Sequence, residues 1–186
     1  MGKLIYATNV SLDGFTEDAT GAFDWSEPDE AVHVFWNGVM RSTGTQLLGR
    51  RMYETMAVWE TESSLAEESA VQADFAAAWQ DSDKVVYSTT LADAVTARTR
   101  IVADFDAGEV HALKEASPAD LLVGGPGIAA HALRAGLVDE IRMVMSPVVV
   151  GAGKPAFAAD LRLDLELVDE RRFGNGAVGV GYRVRT

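Results

Sequence analysis

The run Gly124-Gly125-Pro126-Gly127 follows the apolar residues Leu121-Leu122-Val123 and leads into a helical pattern from about Ile128 to Ala135. Glycines let the backbone turn sharply and approach a ligand with no Cβ in the way. Pro126 suits the first helical position, where a missing N–H costs nothing, and Gly136 suits the position just past the helix end. A helix reached through such a turn points free N–H groups and its positive dipole end at whatever lies above it, which is chemistry for an anion. A dinucleotide pyrophosphate is the obvious candidate; a tight turn without a ligand is the alternative. Gly125-x-Gly127-x-x-Ala130 also matches the Rossmann fingerprint formally. It lies outside a first βαβ unit, however, and the acidic pair Asp139-Glu140 precedes the next strand instead of ending it, which argues against the classical dinucleotide fold.

Two further segments carry similar chemistry. Gly49-Arg50-Arg51 follows the apolar Leu47-Leu48, so an arginine fork stands where a helix begins and can meet a phosphate. Ser88-Thr89-Thr90 follows the strand-like Lys84–Tyr87 run, and its hydroxyls suit either phosphate binding or the capping of Leu91-Ala92-Asp93. Each alone reads equally well as a surface turn. Together they put anion-friendly groups at three strand carboxyl ends, where α/β sheets bind ligands.

The elements that must position these residues follow from periodicity. Lys3 to Val10 reads as an opening strand closed by the turn Ser11-Leu12-Asp13-Gly14. Residues 16–29 read as an acidic irregular loop, and Glu30 to Thr43 as a helix with Val34, Phe35 and Val39 facing inward. Ser64-Leu65-Ala66-Glu67 has the form of a capping box opening a helix to about Gln80. Arg100-Ile101-Val102 is a short strand, and Ala107 to Ala116 a helix stopped at Ser117-Pro118. Leu161, Leu163, Leu165 and Leu167 alternate with charged residues as a half-buried strand. Gly174-Asn175-Gly176 turns it into the alternating Val178, Val180, Tyr182 and Val184. Strands and helices alternate and then close in a hairpin. The expected fold is therefore α/β, with a mixed, mostly parallel central sheet flanked by helices and an antiparallel C-terminal hairpin, as one domain over residues 1–186.

Composition narrows the partners. The 186 residues are 48% apolar and 24% charged, with net charge −12 and a pI of about 4.6. That balance argues against nucleic acid or an anionic membrane as a general partner. With no cysteine there is no disulfide, thiolate nucleophile or cysteine–metal site. The three histidines, His33, His111 and His131, lack metal spacing and read as structural or exposed, and no metal is expected. No leader-like or membrane-spanning apolar run is present, and the expected location is cytoplasmic.

The ordered set Ser11-Leu12-Asp13-Gly14, Phe23-Asp24-Trp25, Leu48-Gly49-Arg50-Arg51-x-Tyr53-Glu54, Leu122-Val123-Gly124-Gly125, and Gly136-Leu137-Val138-Asp139-Glu140 through Pro147 to Gly151-Ala152-Gly153-Lys154-Pro155 spans nearly the whole chain. It resembles the dihydrofolate reductase-like superfamily, and within it the C-terminal reductase domain of the riboflavin-biosynthesis bifunctional deaminase/reductase. That resemblance implies a three-layer fold and NADPH as cofactor. Gly49, Arg50 and Arg51 would face the 2′-phosphate side, and Ser88 and Thr89 the adenosine half. Gly124, Gly125, Pro126, Gly127 and Ile128 would lie along the pyrophosphate. Ala7 through Gly14 would border the nicotinamide and substrate.

The implied activity is NADPH-dependent reduction of a small heterocycle, similar to the phosphoribosylaminouracil reductase step of riboflavin biosynthesis. The zinc deaminase signature is missing. Hydride transfer belongs to the cofactor, and reduction of C=N or C=O needs a proton source as well. Asp13 and Glu30 are the candidates: Asp13 lies in the matched Ser11-Leu12-Asp13-Gly14 motif, and Trp25, Pro28 and Glu30 imitate the order Trp, Pro, acid at the first helix of dihydrofolate reductases. Trp25 and Lys154 are the expected substrate contacts. Two rival readings stay open: a true dihydrofolate reductase, and a member that binds a nucleotide or flavin-like molecule without turnover. A homodimer is expected, pairing through the apolar run Ile141–Val150 and the final hairpin.

Overall fold

A computed structural model describes residues 1–185. Its strands are β1 Leu4–Ser11, β2 Phe15–Asp18, β3 Thr43–Gly49, β4 Asp83–Tyr87, β5 Thr99–Val102, β6 Asp120–Gly124, β7 Glu140–Ser146, β8 Gly153–Pro155, β9 Leu165–Arg172 and β10 Val178–Val184. Its helices are α1 Glu30–Ser42, α2 Arg50–Met56, α3 Val58–Thr61, α4 Ser63–Glu68, α5 Ala70–Asp81, α6 Ala107–Ala116 and α7 Pro126–Arg134. Among the described residues, eight strands form one sheet in the order β5-β4-β3-β6-β1-β7-β10-β9, and β2 pairs with β8 in a separate ribbon. The pairs from β5 through β7 are parallel, and β10 runs antiparallel to both β7 and β9. The expected mixed, mostly parallel sheet with a closing antiparallel hairpin is what the chain forms.

Alternation along the parallel strands divides the core between two faces. Tyr6, Leu47, Val85, Leu121 and Val123 point to the side covered by α6 and α7, where they meet Val110, Ala129, Ala132 and Leu133. Leu48, Val86 and Leu122 point to the other side, where they meet Met40 of α1, Tyr53 of α2 and Phe75 and Trp79 of α5. Helices cover both faces because these strands are apolar on both.

Charge pairs pin the amino edge of the sheet. Lys114 is buried and donates to the Leu137 carbonyl at 2.6 Å and to Asp139 Oδ2 at 2.7 Å. Asp139 Oδ2 also accepts from the Leu4 amide at 2.7 Å. Beside it, Glu140 takes Lys3 at 2.6 Å and Arg142 at 2.7 Å. Burial alone would push the Glu140 carboxyl up, but its hydrogen bonds to Lys3 and Arg142 prevail and hold it below the usual carboxylate range. These bonds fix where β1 enters between β6 and β7, and so where its carboxyl end emerges.

Several local expectations need correction. Residues 16–29 are not wholly irregular: they contain most of β2 and the single 3₁₀ turn Asp24–Ser26. The Ser64 capping box does not form. The helix breaks at Ser69, whose Oγ accepts from the Gln72 amide at 3.2 Å and restarts it as α5. On α1, Val34 is exposed and the buried residues are Val32, His33, Asn37 and Met40. Leu161 and Leu163 pack on the core from coil, and the strand begins only at Leu165, with Leu165 and Leu167 exposed. The run 141–150 leaves β7 after Ser146, and β7 is bonded on both sides by β1 and β10. It has no free edge for the expected twofold pairing; the free edge on that side is β9.

Tyr53 ties α2 to the loop after β4. Its buried hydroxyl oxygen accepts from the amides of Val95 at 2.8 Å and Thr96 at 3.1 Å. Tyr53→Phe strands both N–H groups, and each orphaned donor costs on the order of 1–3 kcal/mol. Urea denaturation should therefore show a clearly lower midpoint with an unchanged slope.

Candidate functional site

The carboxyl ends of β1, β3 and β6 come together at one edge of the sheet, and a cavity of about 560 Å³ opens there. It runs inward between the sheet and the layer of α1, α2, α3 and α5. Ala7, Thr8 and Asn9 of β1 line one side; Leu48 of β3 and Leu122 and Gly124 of β6 form the floor. His33, Trp36 and Met40 of α1 face Met52, Met56, Trp59 and Phe75 across it. The mouth carries the polar groups Thr16, Glu17, Asp24, Glu27, Arg51 and Lys154. A chamber with apolar and aromatic walls and few polar groups suits a planar ligand.

The glycine turn forms part of the rim. Gly125 has φ +89° and is the N-cap of α7, with no side chain capping the helix and Pro126 in its first turn. The first-turn amides of Gly127 and Ile128 therefore keep no side-chain acceptor. Gly127 has open space where a Cβ would stand. At Gly124 a Cβ would sit 2.9 Å from Leu48 Cδ2 and 3.3 Å from Met52 Cγ. Only a hydrogen fits there, which lets α2 close over the end of β6. With backbone donors and the positive end of the α7 dipole, this turn is of the kind that could hold a phosphate or pyrophosphate.

The other expected cofactor residues surround this edge at different depths. Gly49 precedes α2, and a Cβ on it would lie 3.4 Å from Ile128 Cγ1. Arg50 is exposed, pairing through Nε with Glu54 at 2.7 Å and donating from Nη1 to Thr90 Oγ1 at 2.8 Å. It thus bridges the ends of β3 and β4. Arg51 lines the mouth and meets Glu17 at 3.2 Å. Ser88 Oγ accepts from the amides of Thr90 at 3.2 Å and Leu91 at 3.0 Å, which is the turn-capping role; Thr89 is exposed.

Asp13 and Glu30 do not line the cavity. Glu30 is exposed in the first turn of α1, where the helix dipole favours an acid. Asp13 accepts from the amides of Gly151 at 2.8 Å and Val150 at 3.2 Å and so ties the turn after β1 to the loop before β8. The Ser11 hydroxyl and these two amides hold its carboxyl below the usual carboxylate range. Trp25 also stays out of the lining; its Nε1 is buried without a hydrogen-bond partner. Trp36 and Trp59 are the tryptophans that line the cavity. Lys154 does line it, held in the β2–β8 ribbon where Thr16 Oγ1 donates to its carbonyl at 3.1 Å. Among the described residues, no group of three or more His, Asp or Glu is placed to hold a metal, and no helix is long and apolar enough to cross a membrane.

The sequence matches the model of the RibD C-terminal domain over residues 2–178. The chain belongs to the RibD C-terminal domain family. Among curated proteins it is 30% identical over 184 residues to the uncharacterized protein YyaP of Bacillus subtilis (strain 168), covering 97% of this chain and 94% of that one. A putative riboflavin biosynthesis protein from Shewanella sp. PV-4 shares the fold at a TM-score of 0.74 and 18% identity, over 99% of both chains. Dihydrofolate reductase from Enterococcus faecalis, solved with NADP(H), aligns at a TM-score of 0.67 and 14% identity, over 100% of this chain and 98% of that one. The fold of this RibD C-terminal domain is thus the dihydrofolate reductase-like one.

In this RibD C-terminal domain, sequence reasoning missed how the inner wall of the cavity is assembled. His33, Trp36, Met52, Trp59 and Phe75 meet there from four helices, α1, α2, α3 and α5, and no local motif joins them.

The depressed Asp13 pKa has a signed consequence. Its ionised form contributes stability above the ordinary Asp pKa of about 3.9, and that contribution is lost as pH falls through the lower folded value. Asp13→Asn should therefore melt lower than wild type near neutral pH, with the gap closing in acid below about pH 4. A gap independent of pH would remove the role assigned to the carboxylate.

Proposed function

We infer that this RibD C-terminal domain is an NADPH-dependent reductase of a small planar heterocycle of pterin-like or pyrimidine-like type. The observation that carries the reading is the two-part site: an uncapped glycine turn at the start of α7 opens directly beside a deep aromatic chamber. Hydride transfer needs that pairing, with a cofactor anchored by its phosphates at the rim and its reactive ring at the chamber. The amides of Gly127 and Ile128 take the pyrophosphate. Arg50, with Thr90 beside it, meets the 2′-phosphate as a fork that suits a dianion. Residues Ala7 to Asn9 border the reactive ring. Trp36, Trp59, Phe75 and Leu122 hold the flat substrate and exclude water from the reacting centre. NADPH, when bound, supplies the hydride.

The name of the Shewanella protein and the family itself support a substrate of the riboflavin-pathway kind. Asp13 and Glu30 stand off the cavity, so neither is assigned the proton. A cytoplasmic location fits this chemistry. A homodimer is proposed through the β9 edge, which exposes Leu165, Leu167 and Val168.

Titration of the protein with NADPH and NADH, followed by tryptophan fluorescence and calorimetry, tests the reading. Micromolar binding with a preference for NADPH is expected; binding of neither cofactor would overturn it. Arg50→Ala should weaken NADPH roughly tenfold or more, the scale of a lost charge-assisted contact, and leave NADH nearly unchanged. Equal losses would remove the 2′-phosphate assignment.

Gly125→Val tests the turn itself. A branched side chain is strained at φ +89° and its Cβ would lie 3.4 Å from Met52 Cβ. Cofactor binding should be abolished while the circular dichroism spectrum keeps its helix and sheet content. Normal binding would show that the turn does not carry the pyrophosphate.

A further inference from the structure

His33 lines the cavity from α1 and is held on several sides. Its ring stands edge-on to Trp59 at 5.5 Å and to Phe75 at 5.2 Å, with interplanar angles of 88° and 90°. Its Nδ1 lies 3.2 Å from Asn37 Oδ1. The orientation of that amide follows from its other end. Asn37 Nδ2 donates to the Val71 carbonyl at 2.8 Å and to Asp74 Oδ2 at 2.5 Å, and both are acceptors. Asp74 also takes Arg41 Nε at 3.0 Å. Asn37 therefore turns a carbonyl oxygen toward His33, and Nδ1 carries the proton. In the neutral ring the lone pair is then on Nε2.

Nε2 has no hydrogen-bond partner among the described residues, yet it is not one of the sealed, unpartnered polar atoms, which are Trp25 Nε1, Glu60 Oε2 and Trp79 Nε1. Packing against Trp59 and Phe75 needs only a ring and would be met by phenylalanine. The Arg41–Asp74–Asn37 chain does something packing does not: it selects the tautomer that leaves an acceptor at the cavity wall. Asn9 is fixed in a complementary way. Its Oδ1 accepts from Trp36 Nε1 at 3.0 Å, which leaves the Nδ2 donor without a protein partner among the described residues. The inner chamber thus offers one acceptor and one donor on an apolar background.

We propose that His33 is the specificity-determining residue of the cavity, with Nε2 accepting a hydrogen bond from a ring N–H of a lactam-type heterocycle. This inference rests on the heterocycle-reductase reading and names the substrate feature it selects. A ring bearing N–H and C=O carries the donor that His33 Nε2 would accept and the acceptor that Asn9 Nδ2 would meet. A ring alkylated at those nitrogens leaves Nε2 buried against carbon and loses affinity.

Lumazine and its N,N-dimethyl derivative are the probes. Long-range nitrogen–proton NMR of the labelled wild-type protein reads the tautomer of each histidine, and His111→Gln and His131→Gln, both at exposed positions, assign the spectrum by subtraction. His33 should show the Nδ1–H tautomer, and its Nε2 resonance should move with lumazine and not with the dimethyl derivative. By calorimetry, lumazine should bind the wild type more tightly than the dimethyl derivative. His33→Phe keeps the edge contacts and should weaken lumazine roughly tenfold while leaving the dimethyl derivative near its wild-type affinity. An Nε2–H tautomer, absence of lumazine binding, or equal losses for both probes would overturn the proposal. The spectra are read on wild-type protein and do not depend on the variant folding. The NADPH titration separates the two readings: cofactor binding without discrimination between the probes overturns only the His33 role. Discrimination without cofactor binding removes the reductase reading instead.

Discussion

The close approach at Gly124 is the constraint on which the site depends. Gly124 ends β6 between Ala7 of β1 and Leu48 of β3. Because a Cβ there would meet Leu48 and Met52, the absence of one lets α2 lie across the carboxyl edge of three adjacent strands. Gly125 then turns the chain with a positive φ that an L side chain resists, and α7 leaves toward the opposite face of the sheet. Two consecutive glycines thus send neighbouring helices to opposite faces and leave a gap between them. The aromatic chamber lies on one side of that gap and the uncapped start of α7 on the other.

Electrostatics divides the sheet end to end. At the amino edge, Lys3, Lys114 and Arg142 neutralise Asp139 and Glu140 in a tightly hydrogen-bonded cluster. At the carboxyl edge the cations are Arg50, Arg51 and Lys154, with only exposed or mouth carboxylates, Glu54 and Glu17, opposite the arginines. Exposed pairs of this kind contribute little to stability, so an incoming phosphate can exchange with them at small cost. A chain with net charge −12 can still bind an anion, because the field that matters is set within roughly one Debye length, about 10 Å at moderate salt.

Much of this was legible in the sequence, for a local reason. A glycine turn, a proline at a first helical position and a Gly-Asn-Gly hairpin are short-range instructions, and each acts where it stands at Gly125, Pro126 and residues 174–176. Parallel strands buried on both faces show as short apolar runs, which is how β3, β4 and β6 appear. Reading failed where burial depends on partners distant in sequence. Apolar periodicity points to Val34 as an inward residue of α1, yet the helix buries His33 and Asn37, because α5 brings Asp74 and the Val71 carbonyl to satisfy Asn37, which in turn meets His33. Alternation at Leu161 to Leu167 looks like one strand. Its first half instead drops onto the core from coil, and its second half forms an edge whose leucines face outward.

That failure on α1 bears on how the cavity works. A wall built only from apolar periodicity would bind flat molecules without discrimination, since stacking is tolerant of ring substituents. Burying a polar pair in that wall costs desolvation unless every polar atom is matched. Here the matching runs outward, from His33 through Asn37 and Asp74 to the exposed Arg41, and His33 Nε2 is left without a protein partner among the described residues. On the His33 proposal, discrimination falls to that one acceptor, because a ligand that cannot donate to it leaves a buried polar atom unpaired. A charged carboxylate among Trp36, Trp59 and Phe75 would have to be desolvated without a partner, and Asp13 and Glu30 stand outside that wall.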